Sequence, residues 1–218
     1  MNRDFEFKQL MRAYRAGVIS EQTFEKEMTE LEHGNGNGDS GRSITVLGKT
    51  YGSEREAVID VLDRFRAGEA NGQKAFSAWE KQATTDCIRS GIRMITEREG
   101  YHARIFERRL ADLGAECKAG TTDFSRKITE KLSDPKLSDN EKLLYLASLT
   151  NDPAAFFKPV LDFAENLKDD LESKELLKLY VQDELSSANW LLSACAALNP
   201  GVGANAPAGG ITTAAAAV

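Results

Sequence analysis

From Ser53 to about Leu198 the sequence repeats apolar residues at helical spacing with few interruptions, and this run most constrains the fold. Val58, Val61, Leu62, Phe65, Phe76 and Trp79 form the first stripe. Ser53 can cap its start, and Glu54 and Glu56 suit the positive end of the helix dipole. Thr84-Thr85-Asp86 breaks the pattern, and Asp86 can cap a second helix that carries Ile92, Ile95, Ile105, Phe106 and Leu110 and stops at Gly114. A Lys-, Asp- and Ser-rich connection to about Asp139 has room for one short helix. Asn140 opens a third long segment through Leu143, Leu149, Phe156, Val160 and Leu167, which Pro153 and Pro159 should kink or interrupt. A fourth segment runs from about Ser173 to Leu198. Short turns within each pair and a longer connection between the pairs predict an all-α up-and-down bundle of two helical hairpins with one crossover.

The halves of this run match without gaps at a shift of about 85 positions. Phe76 and Trp79 fall on Leu161 and Ala164, Met94-Ile95 on Leu179-Tyr180, and Glu99 and His102 on Glu184 and Ser187. Such self-similarity suggests a repeated helical hairpin.

The flanks differ in kind. Residues 1–32 predict two short amphipathic helices, with Phe7, Leu10, Met11 and Tyr14 on the first, a stop at Gly17, and Phe24, Met28 and Leu31 on the second. Residues 33–52 begin with HGNGNGDSGRS, the composition of a flexible linker, and end in ITVLGKTYG, which has slight β character. Gly48-Lys49-Thr50 looks like the end of a phosphate-binding loop, but Ser43 stands where that loop needs its first glycine. Residues 199–218 form an uncharged Ala/Gly tail, expected to be disordered or to dock a protein partner. A net charge of −6 argues against nucleic acid or an anionic membrane as partner, and no apolar run is long enough to span a bilayer. The N-terminus lacks the pattern of a secretory signal, and three scattered cysteines without a CxxC fit reduced thiols, so a cytoplasmic location is expected.

On the second helix Glu99 and His102 stand three positions apart on one face, so both can reach one ion. Carboxylates neutralise a hard cation, and an imidazole adds a nitrogen donor suited to iron. Glu69, about thirty residues before Glu99, would lie at the same level of a tight hairpin, and Glu184 is the repeat mate of Glu99. Tyr101 and Tyr180 are candidates for positions near such a metal. The competing reading is that Glu69 and Glu99 are solvated and paired with Arg66, Arg98 or Lys74.

Phe65-Arg66-Ala67-Gly68-Glu69 and Glu97-Arg98-Glu99-Gly100-Tyr101-His102-Ala103 resemble the first two helices of the ferritin-like superfamily, rubrerythrin-type proteins in particular. The resemblance implies a ferritin-like four-helix bundle over residues 53–198. It also implies a non-haem iron site at Glu69, Glu99, His102 and Glu184, with Glu99 as the bridge between ions. The implied chemistry is ferroxidase- or peroxidase-like: oxidation of Fe(II) by O2 or peroxide in iron handling or oxidative-stress defence. The second half departs from the pattern, with Ser187 in place of a histidine and Ala154 in place of a carboxylate; Asp152 is the nearest acid. The expected cofactor is therefore one iron ion or an incomplete di-iron pair, with manganese also compatible. The alternative is a metal-free bundle serving as an oligomerising scaffold or adaptor. The piece LMRAYRAGVISEQTFEKEMTEL resembles the SHOCT helical hairpin, which implies a homo-oligomer, dimer or higher.

Overall fold

A computed structural model describes residues 3–15, 17, 19–33, 43–150 and 152–200. The described residues form an all-α protein with one small hairpin of strands. Its elements are α1 (Arg3–Arg15), α2 (Glu21–His33), β1 (Ile44–Val46), β2 (Lys49–Tyr51), α3 (Glu54–Gln82), α4 (Asp86–Asp112), α5 (Asp123–Ser133), α6 (Asp139–Leu149), α7 (Pro153–Asn166) and α8 (Leu171–Leu198). None of these helices is long and apolar enough to cross a membrane.

The linker expected over residues 33–52 gives way to structure by Ile44. β1 and β2 pair antiparallel, with Ile44 opposite Tyr51. Leu47 and Gly48 take positive φ of 49° and 76°, as a two-residue turn matched to strand twist requires. Val46 and Tyr51 are buried in the main core, and the Tyr51 hydroxyl donates to Asp60 at 2.6 Å. The glycine-lysine pair here thus belongs to a tight turn. The Gly/Asn-rich residues 34–42 and the tail from 201 to 218 lie outside the described residues.

α3 and α4 form a tight hairpin joined by Ala83–Thr85, with the Ser53 hydroxyl capping α3 by accepting from Glu56 N–H at 3.2 Å. The chain then travels back along α3. Arg66 bonds the Ala119 carbonyl at 2.8 Å, Asn71 bonds Thr129 at 2.7 Å, and Gln82 bonds the Ser133 carbonyl at 3.0 Å. α5 therefore carries the crossover to the far end of the hairpin, where α6 begins. There the buried Asp139 carboxylate accepts from Trp79 Nε1 at 2.8 Å and from the N–H groups of Thr84 and Thr85 at 3.0 Å each. This knot joins α3, the α3–α4 turn and α6.

The third long segment is broken. Thr150 is extended, Asp152 caps the next helix by accepting from Ala155 N–H at 2.9 Å, and Pro153 opens α7, where its missing N–H is no loss. Pro159 sits inside α7 without ending it. α7 ends beside the start of α3, where Glu54 accepts from the N–H groups of Lys168, Asp169 and Asp170 at 2.9–3.1 Å. α8 returns antiparallel to α4: Arg109 reaches Asp170 at 2.7 Å and Ser173 at 2.9 Å, Arg98 reaches Ser187 at 3.1 Å, and the Trp190 ring lies against Gly91. A Cβ on Gly91 would meet that ring at 1.9 Å, so only glycine permits the approach.

Burial follows the internal repeat. Met94 and Leu179 are both 60% exposed, while their neighbours Ile95 and Tyr180 are buried at 3% and 4%. Trp79 and its mate Ala164 are both fully buried. Apolar side chains collect in two cores. One holds Leu62, Phe65, Phe106, Phe163 and Leu177; the other holds Phe76, Trp79, Ile92, Leu132 and Leu143.

Asp139 should be a point of disproportionate sensitivity. Asp139→Ala leaves one buried indole N–H and two partly buried backbone N–H groups without their acceptor, and is expected to cost about 1–3 kcal/mol in urea unfolding. Burial acts to raise the Asp139 pKa, yet the hydrogen bonds from Trp79, Thr85 and Thr84 hold it below its ordinary 3.8. Its stabilisation is therefore complete above that value and drains away as pH falls through the depressed one. The variant should lose less stability than wild type on acidification below about pH 4. A loss under 1 kcal/mol, on the order of one ordinary hydrogen bond, would contradict the assignment.

Candidate metal centre

Between the two cores, α3, α4 and α8 bring ionisable side chains together out of water. Glu69, Glu99 and His102 are 6%, 8% and 1% exposed, which rules out the solvated reading of this helix face. Arg66 is occupied by Asp63 at 2.8 Å and Arg98 by the hydroxyls of Ser186 and Ser187, so neither neutralises the cluster's carboxylates.

His102 is the hub. Its Nδ1 lies 3.2 Å from Glu69 Oε2 and 3.4 Å from Glu184 Oε1. The Glu69 contact has hydrogen-bond geometry; Glu184 Oε1 is buried without a hydrogen-bond partner. On the other side of the ring, Nε2 lies 3.1 Å from Asp183 Oδ2, whose side chain is 43% exposed at the edge of the site. The Tyr180 hydroxyl donates to Glu69 Oε1 at 3.0 Å.

One donor atom each from Glu69, His102 and Glu184 falls within 4.8 Å of the others, a buried group that can hold a metal ion. Two carboxylates and an imidazole suit iron, manganese or zinc alike, so the donors do not fix the metal. Three of the four residues expected at the site from sequence thus converge. Glu99 stands outside this triad: its carboxyl hydrogen-bonds Glu69 and rests against the α3 backbone at Gly72. A Cβ at Gly72 would meet Glu99 Oε2 at 2.1 Å. Ser187, the repeat mate of His102, is buried and bonded to Arg98; Ala154 is exposed, and Asp152 serves as a helix cap. Tyr101 points outward at 52% exposure, while Tyr180 joins the site.

Sequence reasoning missed Asp183 and Gly72. Asp183 aligns with Arg98 in the repeat, so symmetry hid it. Gly72 carried a usable signal, being a glycine inside a helical pattern three positions beyond Glu69, where only a close neighbour justifies it.

The electrostatics of the cluster are those of a group short of positive charge. Burial, the charges of Glu69 and Glu184, and the hydrogen bond to Glu69 push Glu99 well above the carboxylate range. Burial and the Glu184 charge push Glu69 up to about 7 against the opposing contacts of His102 and Tyr180. Burial pulls His102 down, but the close Glu184 and Glu69 carboxylates outweigh it and raise the ring to about 10. The cluster therefore favours its protonated forms when no cation is present. A cation would supply positive charge in place of such protons, and Glu184 Oε1, which has no hydrogen-bond partner, offers it a ready ligand, so the residues fit a metal.

Compared with known proteins, the chain matches no family model, no curated protein and no solved structure.

In protein stripped of metal by chelation, the raised pKa values fix the sign of a pH effect. The folded chain binds protons that the unfolded chain has released, so stability falls as pH rises, from 4.5 to about 7 through Glu69 and from 6.5 to about 10 through His102. Urea unfolding should show a loss of more than about 1 kcal/mol between roughly pH 5 and pH 8. Glu99→Gln, which keeps a neutral donor toward Glu69, should leave the protein folded and reduce that loss. Stability that rises over the same interval would refute this charge assignment.

Proposed function

We propose that this chain is a ferritin-like metal protein that binds one iron ion, with manganese as a competitor, and oxidises Fe(II) with O2 or peroxide. The observation that carries the reading is the buried Glu69–His102–Glu184 triad with one donor atom left without a hydrogen-bond partner. The hairpin of α3 and α4, the crossover through α5 and the antiparallel pairing of α4 with α8 support the ferritin-like part.

Glu69, His102 and Glu184 would hold the ion, and bound iron would supply one-electron chemistry toward O2 or peroxide. Asp183, against Nε2 of His102, orients the ring so that Nδ1 faces the donors and makes it more basic, the usual second partner of a metal-bound histidine. Tyr180 fixes one Glu69 oxygen and leaves the other toward His102. Glu99 keeps a carboxyl group one hydrogen bond from the triad, where it can give up its proton and take up positive charge.

Titration of chelator-treated full-length protein with Fe(II) under argon, or with Mn(II), tests the reading. About one ion per chain should bind, and His102→Ala or Glu69→Gln should abolish binding. Asp183→Asn should weaken it by about 10- to 100-fold. Admission of O2 should then convert bound Fe(II) to Fe(III) faster in wild type than in the variants. No stoichiometric binding, or binding unchanged in His102→Ala, would remove the proposal.

The second reading is a metal-free bundle acting as an oligomerising scaffold, and one observation favours it: Ser187, Ala154 and Asp152 bring no donors from the second half. The stacked Tyr14 and Phe24 rings, 4.5 Å apart, close the α1–α2 hairpin that would then serve association. That reading predicts a folded, oligomeric His102→Ala protein with undiminished assembly.

A further inference from the structure

A cavity of about 250 Å³ adjoins the Glu–His–Glu group. Its walls are hydrocarbon: Phe65, Phe76, Ile95, Leu146, Phe157 and Val160 line it. Glu69, Glu99, Tyr180 and Glu184 of the cluster line one part of it, and Asn71, Ser125 and Thr150 add a few polar groups elsewhere. The chamber lies beside the break between α6 and α7. There the repeat mate of Glu69 is the exposed Ala154, and α7 offers phenyl rings to the interior instead of a carboxylate. The side of the triad left without a protein donor therefore faces a mainly apolar space.

We infer that this cavity binds a small neutral apolar organic molecule, held with one end against the Glu69–Glu99–Glu184 group. An engineered apolar cavity of about 150 Å³ takes up benzene, and water occupies about 30 Å³, so this one has room for roughly eight to ten non-hydrogen atoms. The walls supply the affinity, since binding gains in proportion to the apolar surface taken out of water. The carboxyl groups at the inner end set the charge preference: a neutral or hydroxyl-bearing end fits, and a carboxylate end meets like charge without a counter-ion. A hydrated cation passing through in quantity, as iron storage demands, would find few polar groups along these walls. As the substrate class of the metal group, the inference rests on the reading above; as a binding site, it stands on the cavity alone.

1-Octanol and octanoate, titrated calorimetrically into chelator-treated full-length protein, separate the possibilities. Octanol should bind one per chain with a negative heat-capacity change, and octanoate should bind at least about tenfold more weakly at neutral pH. Ala188→Phe, which places a ring in the chamber, should lower octanol affinity at least about tenfold, and Phe157→Ala, which enlarges it, should shift the preference toward 1-decanol. Circular dichroism checks that each variant is folded; if the ring-inserted one is not, the enlarged one decides. No octanol binding, equal binding of octanoate, or an alcohol preference indifferent to Phe157→Ala overturns the site. Octanol binding that emerges only after residues 201–218 are deleted makes the chain's own tail the occupant and also overturns it. Co(II)-loaded protein then tests adjacency. A change in its visible absorption on adding octanol supports the substrate class, and an unchanged spectrum with octanol bound overturns it. Failure of Co(II) to bind at all removes the metal reading and leaves the octanol result standing.

Discussion

Three carboxyl groups and one imidazole are held out of water between two apolar cores, and this buried layer is the constraint that the rest of the structure serves. Separate charges in such a place would cost several kcal/mol each. The cluster survives because its members share protons and hydrogen bonds, with His102 between Glu69 and Asp183 and the Glu99 carboxyl on Glu69. An apolar side chain at any of these positions would be simpler to bury. Protons and a cation would compete for the same carboxylates, since either supplies the positive charge that the layer lacks.

Position comes from the helices and their close approaches. Gly72 lets the Glu99 carboxyl lie on the backbone of α3, and Gly91 lets Trp190 lie on α4. Arg98 ties α4 to two serines of α8, one turn from His102. These contacts set the separation of the three helices that contribute donors. On the remaining side, the broken α6–α7 segment contributes rings and leaves a chamber, so the layer is polar on three sides and hydrocarbon on the fourth.

Much of this was legible in the sequence, and the parts that were not share a physical reason. The apolar stripes placed α3, α4 and α8 within one or two residues of their observed ends, because 3.6-residue periodicity and the Ser53 cap are local signals; Asp86, expected to cap α4, is instead its first residue, with Thr85 before it. Glu99 and His102 were marked by their spacing on one helix, and Glu69 and Glu184 by the family resemblance, with the hairpin spacing and the internal repeat in agreement. The place where the third segment breaks was visible in Pro153, but Pro159, equally visible, interrupts nothing: α7 continues through it. The pairing of Ile44–Val46 with Lys49–Tyr51 into a hairpin was nearly hidden, since three-residue strands carry too little pattern. Asp183 was invisible because its role depends on a partner 81 positions away on another helix. The placement of Glu99 beside the triad instead of within it depends on side-chain reach, which no spacing rule supplies.

The knot at Asp139 has a consequence for how the chain reaches this state. Trp79 and Asp139 are 60 positions apart, and the bond between them closes a loop containing all of α4 and α5. The α3–α4 hairpin needs no such closure, because its contacts lie across a three-residue turn. Loop-closure entropy therefore orders assembly: the hairpin carrying Glu69, Glu99 and His102 is the economical nucleus, and α8 with Glu184 arrives after the crossover has wrapped. The last donor to reach the layer is then the one whose oxygen has no hydrogen-bond partner, so the nascent hairpin meets solvent with its acidic face still open.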